Sequence, residues 1–481
     1  MPRRSLSARS EAPAALRAGE LGTADVTAST VANIGPGIDF YFGFGVVAAT
    51  AGVAAPLTIL AAGIATLLLA FVVSEFTRAE PSAGSFITYV ESAFGPRLGV
   101  LTAALVAVGY TIAIAAVFTM SGGVVALILG HYASWEPPWE PLTLVFTGGA
   151  IWLAAQGVRI STRVVGVSVL VQVLVMVAVC AVVLVDERAV LSSTPFQWSH
   201  VSGGLAGLSG GFPLAIYMFI GWENGPALAE EAREPRRTIP RAVNIAVVAT
   251  TALFVLFAYA TVTGFHYDVS SVGRSSIPFL SVAESYTGDA ALVAWLVGAV
   301  SVFATLIAAV NAQSRMLFDA GRSGLLPRWL GRLRRGADTP VNALLTMAGA
   351  GLSIIAVWWL AHATGVATGS TDPVGLYAEC STMGTIVIFV VYALTAAALP
   401  VFIWRRHRGA FSAVRHVVVP ALGALAIAIP FVELCRPGQP YPYNVFPFLA
   451  LAIVALAAIY AALTLRRDPT AGAGETARFE D

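Results

Sequence analysis

Uncharged apolar runs long enough to cross a lipid bilayer recur along almost the whole chain. A transmembrane helix needs about 20 mainly apolar residues. Of the 481 residues here, 57% are hydrophobic and only 11% are charged. A soluble globular fold is excluded, because such runs leave too little polar surface to face water. The sequence therefore predicts an all-α polytopic membrane protein.

Twelve such runs predict twelve transmembrane helices. The third and the eighth are long enough to tilt or to project from the membrane, and the eleventh is marginal as an uncharged run. The predicted spans are residues 27–53, 54–76, 97–130, 141–158, 162–185, 204–231, 240–265, 288–320, 341–362, 375–404, 414–434 and 441–465.

The arginines predict how these spans are oriented. They are the only fixed cations, since the chain contains no lysine. With a cytoplasmic amino terminus, all of the 28 arginines face inwards except Arg188, Arg274 and Arg436, as the positive-inside rule requires. We therefore expect a multi-pass protein of the cytoplasmic membrane with both termini in the cytoplasm. The net charge of +1 says nothing about nucleic acid, because the arginines are sorted by topology, and we expect no nucleic-acid partner.

The first span is interrupted by residues that a membrane helix normally avoids. The stretch VANIGPGIDFYFGF, residues 31–44, contains Gly35, Pro36 and Gly37 between apolar flanks. Non-helical backbone at that depth is tolerated only where it is buried in protein or lines a cavity. Its free N–H groups attract a carboxylate, and its free carbonyls accept hydrogen bonds from an ammonium. We interpret this break as part of a binding site for a small charged solute.

A second interruption lies five spans later, in MFIGWENGPALAEE, residues 218–231. Gly221, Gly225 and Pro226 surround an acid, Glu223. Broken helices at corresponding positions of two five-helix halves indicate a substrate site at the interface of an inverted repeat. Kinks that only help packing would explain either break alone, but they explain less well a pair in which each break has an acid. The pattern thus favours a transporter.

Four motifs resemble the amino acid–polyamine–organocation (APC) superfamily, and within it the amino acid permeases. NIGPGI, residues 33–38, resembles the Gly-x-Gly-Ile break of the first helix in that family. EPSAGSFITYVESAFGPRLG, residues 80–99, is similar to the loop between its second and third helices. FIGWENGPALAEEAREPRRTIPRA, residues 219–242, resembles the sixth-helix break, and SRMLFDAGRSGLLPRWL, residues 314–330, the end of the eighth helix. The resemblance covers about residues 25–465.

This resemblance implies a five-plus-five inverted repeat (LeuT-like) with broken helices 1 and 6. The first ten spans would form the transport core and the last two would be accessory. The implied domains are a disordered cytoplasmic tail at 1–25, a ten-helix core at 26–404 with repeats at about 26–186 and 203–404, two accessory helices at 405–466 and a cytoplasmic tail at 467–481.

The resemblance also implies which residues bind the substrate. The first break would receive a carboxylate, and the carbonyls of Phe219, Ile220 and Gly221 would receive the amino group. Trp222 and Glu223 fall on or next to positions that gate the substrate and sense protons in some members. The predicted substrate-binding residues are Gly35, Pro36, Gly37, Ile38, Asp39, Phe219, Ile220, Gly221, Trp222 and Glu223.

Three residues depart from the family pattern. Asp39 stands where the family usually has an aromatic or aliphatic residue, and Pro36 replaces a small polar one. Gln172 stands in the fifth span, where some proton-coupled members have a lysine. With no lysine in the chain, coupling through an amine at that position is excluded.

Asp39 and Glu223 are the candidates for proton coupling, because a carboxylate inside the membrane is costly and is a functional-site hypothesis by default. Each acid could load and release a proton, or pair with the ammonium of a cationic substrate. For Asp39 a third interpretation is that it caps the second half-helix.

Other ions and cofactors are less favoured. Sodium would need oxygen ligands, which Ser301 and Thr305 of the eighth span could supply, but hydroxyls in membrane helices usually bond their own backbone. We expect no cofactor and no metal site. Arg315 and Asp319 are spaced i, i+4, which predicts an ion pair at the end of the eighth span.

The sequence thus predicts a secondary active transporter that moves a small amino acid by alternating access, with protons as the coupling ion. An amine or polyamine permease or antiporter is the alternative, motivated by the two acids. A solute-sensing receptor of the same fold would usually have a long soluble extension, and a channel would need a continuous polar lining. An enzyme is not expected, since no nucleophile with its base, phosphate loop or metal-ligand cluster is present. No oligomeric state is predicted.

Overall fold

The protein is helical throughout the part of the chain that the computed structural model describes. That part comprises residues 19–156, 158–197, 205–275, 277–333, 339–366, 370–439, 441–469 and 471. Outside the helices it contains one isolated parallel bridge, between Leu21 and Ala232. The all-α prediction is confirmed. Most of both predicted tails lies outside the described residues.

Sixteen α-helices form this part of the structure. Short 3₁₀ segments follow or connect several of them, and the one at Trp222–Leu228 is central to the site. The helices are α1 Thr23–Ile34, α2 Pro36–Ala51, α3 Ala55–Ala79, α4 Phe86–Phe94, α5 Pro96–Ala133, α6 Trp139–Ala155, α7 Val158–Asp186, α8 Leu205–Tyr217, α9 Pro235–Gly264, α10 Val269–Arg274, α11 Pro278–Thr287, α12 Ala291–Arg322, α13 Val341–Ala363, α14 Pro373–Arg406, α15 Val419–Leu434 and α16 Phe446–Arg467.

Nine segments of the described chain are long and apolar enough to cross a membrane, which makes this a multi-pass membrane protein. The first of them, Thr23–Ala79, has 57 residues and contains the first two predicted spans. The fourth and sixth predicted spans are not among the nine, because α6 has 17 residues and α8 has 13. The count of twelve stays a prediction.

The first glycine-rich stretch produces a one-residue interruption between α1 and α2. Gly35 has φ +70°, a left-handed conformation that favours glycine. Pro36 then begins α2, where its missing N–H and fixed φ suit the first helical position. A Cβ on Gly35 would lie 2.6 Å from Thr305 Oγ1, so α12 packs directly against this point.

The second interruption separates α8 from the 3₁₀ helix at Trp222–Leu228. Gly221 lies between them with φ +115°. A Cβ there would lie 2.4 Å from the backbone oxygen of Asn33 in α1. The two glycine-rich stretches therefore cross in direct backbone contact, and this crossing positions the candidate site.

Residues 19–25 are packed against the end of the second interruption and are not part of a disordered tail. The amides of Glu20 and Leu21 both donate to the carbonyl of Glu231, each at 2.9 Å. The amide of Arg233 returns a hydrogen bond to the Leu21 carbonyl at 2.8 Å. These bonds hold the chain in place just before α1, which begins at Thr23.

The predicted ion pair between Arg315 and Asp319 is wrong. Arg315 instead forms two hydrogen bonds with Glu231, at 2.7 and 3.1 Å, and both side chains are buried. Asp319 pairs with Arg322. Helical spacing allows the predicted pair, but a guanidinium binds a carboxylate best through a planar two-point contact, which the 228–232 segment offers.

Candidate substrate site

A cavity of about 40 Å³ lies at the crossing of the two interruptions. Its residues are buried, apart from Val117 and Ile220, which are half-buried. Since one water needs at least 10–15 Å³, the cavity holds roughly three waters and is too small for an amino acid. A substrate of that size could enter only if the walls moved. The lining residues are Asn33, Asp39, Tyr110, Ala113, Ile114, Val117, Tyr217, Ile220, Gly221, Asn224, Thr305, Ala309 and Gln313.

Asp39 is the acid that faces this cavity. It is the fourth residue of α2, and its Oδ1 accepts a hydrogen bond of 2.6 Å from the Tyr377 hydroxyl of α14. The Tyr217 ring packs edge-on against Tyr377, with centroids 6.0 Å apart. The hydrogen bonds of the described residues join Asp39 to Tyr377 and not to the first amides of α2, so the structure does not place Asp39 as a helix cap. The reason is that the first amides of α2 are bonded to other side chains.

Those amides are held by two neighbouring helices. The N–H of Gly37 donates to Gln172 Oε1 of α7 at 3.1 Å, and the N–H of Ile38 donates to Ser301 Oγ of α12 at 3.1 Å. Pro36 has no N–H to offer. The Gly35 amide donates to the Val31 carbonyl at 3.0 Å. The amides of Gly35 and Gly37, which the family resemblance assigns to a substrate carboxylate, are therefore already hydrogen-bonded in this conformation.

Glu223 stabilises the second interruption and does not line the cavity. Its Oε1 accepts from the Tyr110 hydroxyl at 2.5 Å, and its Oε2 accepts from the Gly221 amide at 2.9 Å. Tyr110 does line the cavity, so one hydrogen bond separates Glu223 from it. The adjacent Trp222 packs against Tyr392, with ring centroids 5.7 Å apart.

The structure thus brings three of the ten predicted residues, Asp39, Ile220 and Gly221, to the cavity wall. The carbonyls of Phe219 and Gly221, assigned to the amino group, accept backbone hydrogen bonds from Trp222 and Asn224 at 3.3 and 3.1 Å.

Several polar residues at the cavity were not predicted. Asn224 Nδ2 donates to Asn33 Oδ1 at 3.2 Å. Three buried oxygens at the wall have no hydrogen-bond partner: Asn224 Oδ1, Gln313 Oε1 and Thr305 Oγ1, the last being the hydroxyl already considered for sodium. An amide side chain inside a predicted membrane span indicates a candidate functional residue, and this criterion would have identified Asn33 and Gln313 from the sequence. Tyr377 gives no such signal, because a tyrosine near the end of a span is usually an interfacial anchor.

The two hydroxyls considered for sodium differ in their surroundings. Ser301 Oγ accepts the hydrogen bond from Ile38, whereas Thr305 Oγ1 has no partner and lies beside Gly35. In the described residues, no group of three or more His, Cys, Asp or Glu side chains could hold a metal ion.

Comparison with known proteins shows clear similarities. The family model for amino acid permeases matches residues 21–461. The branched-chain amino acid permease BcaP of Bacillus subtilis (strain 168) is 24% identical over 412 residues, which are 79% of this chain and 80% of that protein. The methylthioribose transporter of the same organism is 24% identical over 74% of this chain and 76% of its own length.

Two further similarities are more distant or more partial. The chloroplastic cationic amino acid transporter 7 of Arabidopsis thaliana is 24% identical over 64% of this chain and 57% of its own length. The crystal structure of a manganese transporter from Eremococcus coleocola superposes with a TM-score of 0.58 at 11% identity, over 94% of this chain and 98% of that one. This second likeness concerns the fold alone.

Proposed function

The chain belongs to the amino acid permease family and is a transporter rather than an enzyme, and on this premise we propose that it moves a small amino acid across the cytoplasmic membrane by alternating access, coupled to protons. We also propose the finer architecture: twelve transmembrane helices in a five-plus-five inverted repeat, with α1–α2 and α8 with its 3₁₀ extension as the two broken helices.

The observation that supports this proposal is the position of Asp39. Its carboxyl is buried at the crossing of the two interruptions, on the wall of a cavity between helices from both proposed repeats. A carboxylate in such a place is costly unless it has a function. Its contact with Tyr377 of α14 gives protonation a direct mechanical consequence, because the charge on Asp39 decides how strongly α14 is held against α2.

We assign proton coupling to Asp39 first and to Glu223 second. Asp39 faces the space that a substrate would enter, so substrate binding can change its protonation directly. Glu223 already accepts hydrogen bonds from Tyr110 and Gly221, and its protonation would first have to loosen the second interruption. Of the two hydroxyls considered for sodium, Ser301 Oγ is engaged by the Ile38 amide and Thr305 Oγ1 has no partner, and we keep protons as the favoured coupling ion.

Asp39→Asn tests this assignment in proteoliposomes with pH 5.5 outside and pH 7.5 inside. Substrates are first found by thermal stabilisation, since a ligand that binds only the folded protein raises its Tm. Leucine, valine, lysine and arginine are the first probes, because the similar proteins include branched-chain and cationic amino acid transporters. We expect Asp39→Asn to lose accumulation driven by the pH gradient while it still exchanges labelled for unlabelled substrate.

Glu379→Gln is the matched control. Glu379 is also a buried acid, but it lies on the other side of α14 and accepts from Trp358 Nε1 at 2.6 Å. This variant should retain gradient-driven uptake. Undiminished gradient-driven accumulation by Asp39→Asn would remove Asp39 from coupling and leave Glu223 as the candidate.

An amine substrate is the second candidate, and the hydrogen bonding of the cavity favours it. Two of the three unpartnered groups at the wall, Asn224 Oδ1 and Gln313 Oε1, can only accept a hydrogen bond, and the third is the Thr305 hydroxyl. The amides that could receive a carboxylate are engaged by Gln172 and Ser301. A cavity with free acceptors and one acid suits a donor such as an ammonium better than an anion.

Pairs of ligands that differ only in the carboxylate distinguish the two candidates. Leucine is compared with 3-methylbutylamine, and lysine with 1,5-diaminopentane, by thermal stabilisation at pH 5.5 and 7.5. Stabilisation by the amino acid alone supports the amino acid site. Stabilisation by the amine alone would overturn our first choice and make Asp39 a recognition residue.

A further inference from the structure

A groove between α5 and α16 is distinct from the substrate site. Its volume is about 420 Å³, and it is formed by the first turns of α5 and the last turns of α16. Six of its eight lining residues are apolar. Since the α16 residues that line it span nine positions, the groove is about 12 Å long. The apolar residues are Leu98, Leu101, Ala458, Ala461, Ala462 and Leu465.

Two arginines complete the lining. Arg97 is the second residue of α5, and Arg466 is in the last turn of α16, so both lie at the same end of the groove. Both are exposed, and no carboxylate of the described chain forms an ion pair with either of them. By contrast, Arg328 and Arg406 pair with Asp468 and Glu80. The amino terminus of α5, which has no side-chain cap, adds positive potential at this end.

The groove is thus apolar along its length and cationic at one end. Both arginines lie at the ends of segments that can cross the membrane, on the face that the arginine distribution predicts to be cytoplasmic. Around the groove α16 presents apolar side chains to its surroundings, such as Leu456 and Leu463. An acyl chain fits the apolar part, and a phosphate fits between two guanidiniums.

We propose that this groove binds an anionic phospholipid of the cytoplasmic leaflet, with the phosphate at Arg97 and Arg466 and an acyl chain along Leu98, Leu101 and the alanines of α16. The lipid would bridge the transport core and an accessory helix. Neutral phospholipids lack the net negative charge that two unpaired arginines select, so the site discriminates by headgroup charge.

The test uses the purified full-length protein, delipidated in detergent and titrated with dioleoylphosphatidylglycerol or dioleoylphosphatidylcholine. Bound lipid is counted by native mass spectrometry, and the Tm is measured in parallel. We expect the wild type to retain phosphatidylglycerol preferentially. Arg97→Gln/Arg466→Gln should weaken its binding about 30-fold, since each arginine near an anionic lipid contributes about 5-fold.

Arg332→Gln/Arg467→Gln is the matched control, because both residues are exposed arginines that do not line the groove. It should retain phosphatidylglycerol as the wild type does. Equal loss in the two double variants would indicate general surface attraction and overturn the proposal. Equal retention of the two lipids by the wild type would overturn it as well.

A competing anion and a variant that fills the groove provide two further tests of the proposal. Glycerol 3-phosphate has the anion without the chains, and full competition by it at millimolar concentration would show an anion site without a lipid. Ala462→Phe fills the groove and leaves both arginines in place, so it tests the proposal even if the Arg97→Gln/Arg466→Gln variant does not fold. We expect Ala462→Phe to lose phosphatidylglycerol binding, and undiminished binding would contradict the proposal.

Discussion

At the scale of single residues, two glycines allow the site to form. Gly35 and Gly221 both have positive φ, and each meets another helix at a distance where no Cβ fits. The Gly221 contact is with backbone, the Asn33 oxygen, which cannot rotate away as a side chain can. The close crossing of the two interruptions therefore depends on the absence of a side chain at this position.

Gly221→Ala should lower stability by more than about 2 kcal/mol, because it adds left-handed strain and a clash at 2.4 Å with the Asn33 oxygen. The measurement is the apparent Tm of the detergent-purified protein. Gly148→Ala in α6 is the control, since a Cβ there meets no atom within 4 Å and alanine favours the helix by up to about 1 kcal/mol. Equal Tm values for the two variants would contradict the crossing.

Gln172→Ala should reveal whether a substrate carboxylate uses the Gly37 amide. The variant leaves a buried N–H without its acceptor, which costs about 1–3 kcal/mol. A carboxylate ligand would then fill the vacated position, so we expect leucine to raise the Tm of Gln172→Ala more than that of the wild type. 3-Methylbutylamine should stabilise both proteins equally.

Ser168→Ala, at a half-buried site on the same helix whose hydroxyl bonds only the Val164 carbonyl, controls for a general effect on α7. If leucine stabilises Gln172→Ala no better than the wild type, the Gly37 amide is not where the carboxylate binds.

At the scale of helices, the segment after the second interruption is attached to α12 and to the residues before α1. Glu231 makes both of these attachments. Its side-chain carboxylate binds Arg315 of α12, and its backbone carbonyl accepts hydrogen bonds from the amides of Glu20 and Leu21. Arg315 also donates to the Asn311 carbonyl at 2.7 Å. On the predicted topology this assembly lies on the cytoplasmic side of the cavity, and under the proposed alternating access it would separate when the site opens inwards.

Arg315→Met should destabilise the protein by about 3–5 kcal/mol, because it leaves the Glu231 carboxylate buried without a partner. Adding Glu231→Leu should recover most of this loss, since an apolar pair of similar volume avoids the cost of burying charge. The apparent Tm of the single and double variants checks both expectations.

Arg237→Ala provides the control for this pair. Arg237 pairs with Glu234, and more than two thirds of each side chain is exposed, so the loss should stay below about 1 kcal/mol. A similar Tm for Arg315→Met and Arg237→Ala would show that the buried pair contributes no more to stability than the exposed one.

At the scale of the whole molecule, the pH dependence of stability has an identifiable contributor outside the membrane-spanning segments. Glu91 of α4 is buried, and burial together with the nearby charge of Asp319 raises its pKa from 4.5 to about 7. The folded protein therefore holds this proton more tightly than the unfolded chain. The associated stability, up to about 3 kcal/mol, is present below pH 4.5 and is lost as the pH rises through 7.

Glu91→Gln should remove this pH dependence, because the amide stays neutral. We expect the variant to have a higher Tm than the wild type at pH 8 and a nearly equal Tm at pH 5. Glu136→Gln, at an exposed acid, should follow the wild type at both values. A wild-type advantage at pH 8 would mean that the Glu91 carboxylate has a stabilising partner at that pH.

The sequence by itself determined the membrane-protein class, the all-helical fold and the family. Each of these depends on local properties: apolar runs as long as a bilayer is thick, and the order of motifs along the chain. The positions of the two glycine-rich interruptions also follow from local chemistry, because glycine and proline act on the backbone at their own positions.

The partners of the polar groups were decided only by the tertiary structure. Asp39 and Glu223 look alike in the sequence, since each lies at a glycine-rich break. Packing nevertheless turns Asp39 towards the cavity and Tyr377, and it turns Glu223 towards Tyr110 and Gly221. The Gly37 amide finds its acceptor in Gln172, 135 residues away, and Tyr377 reaches Asp39 across 338 residues. Periodicity and composition describe one helix at a time, whereas these contacts depend on how distant helices cross.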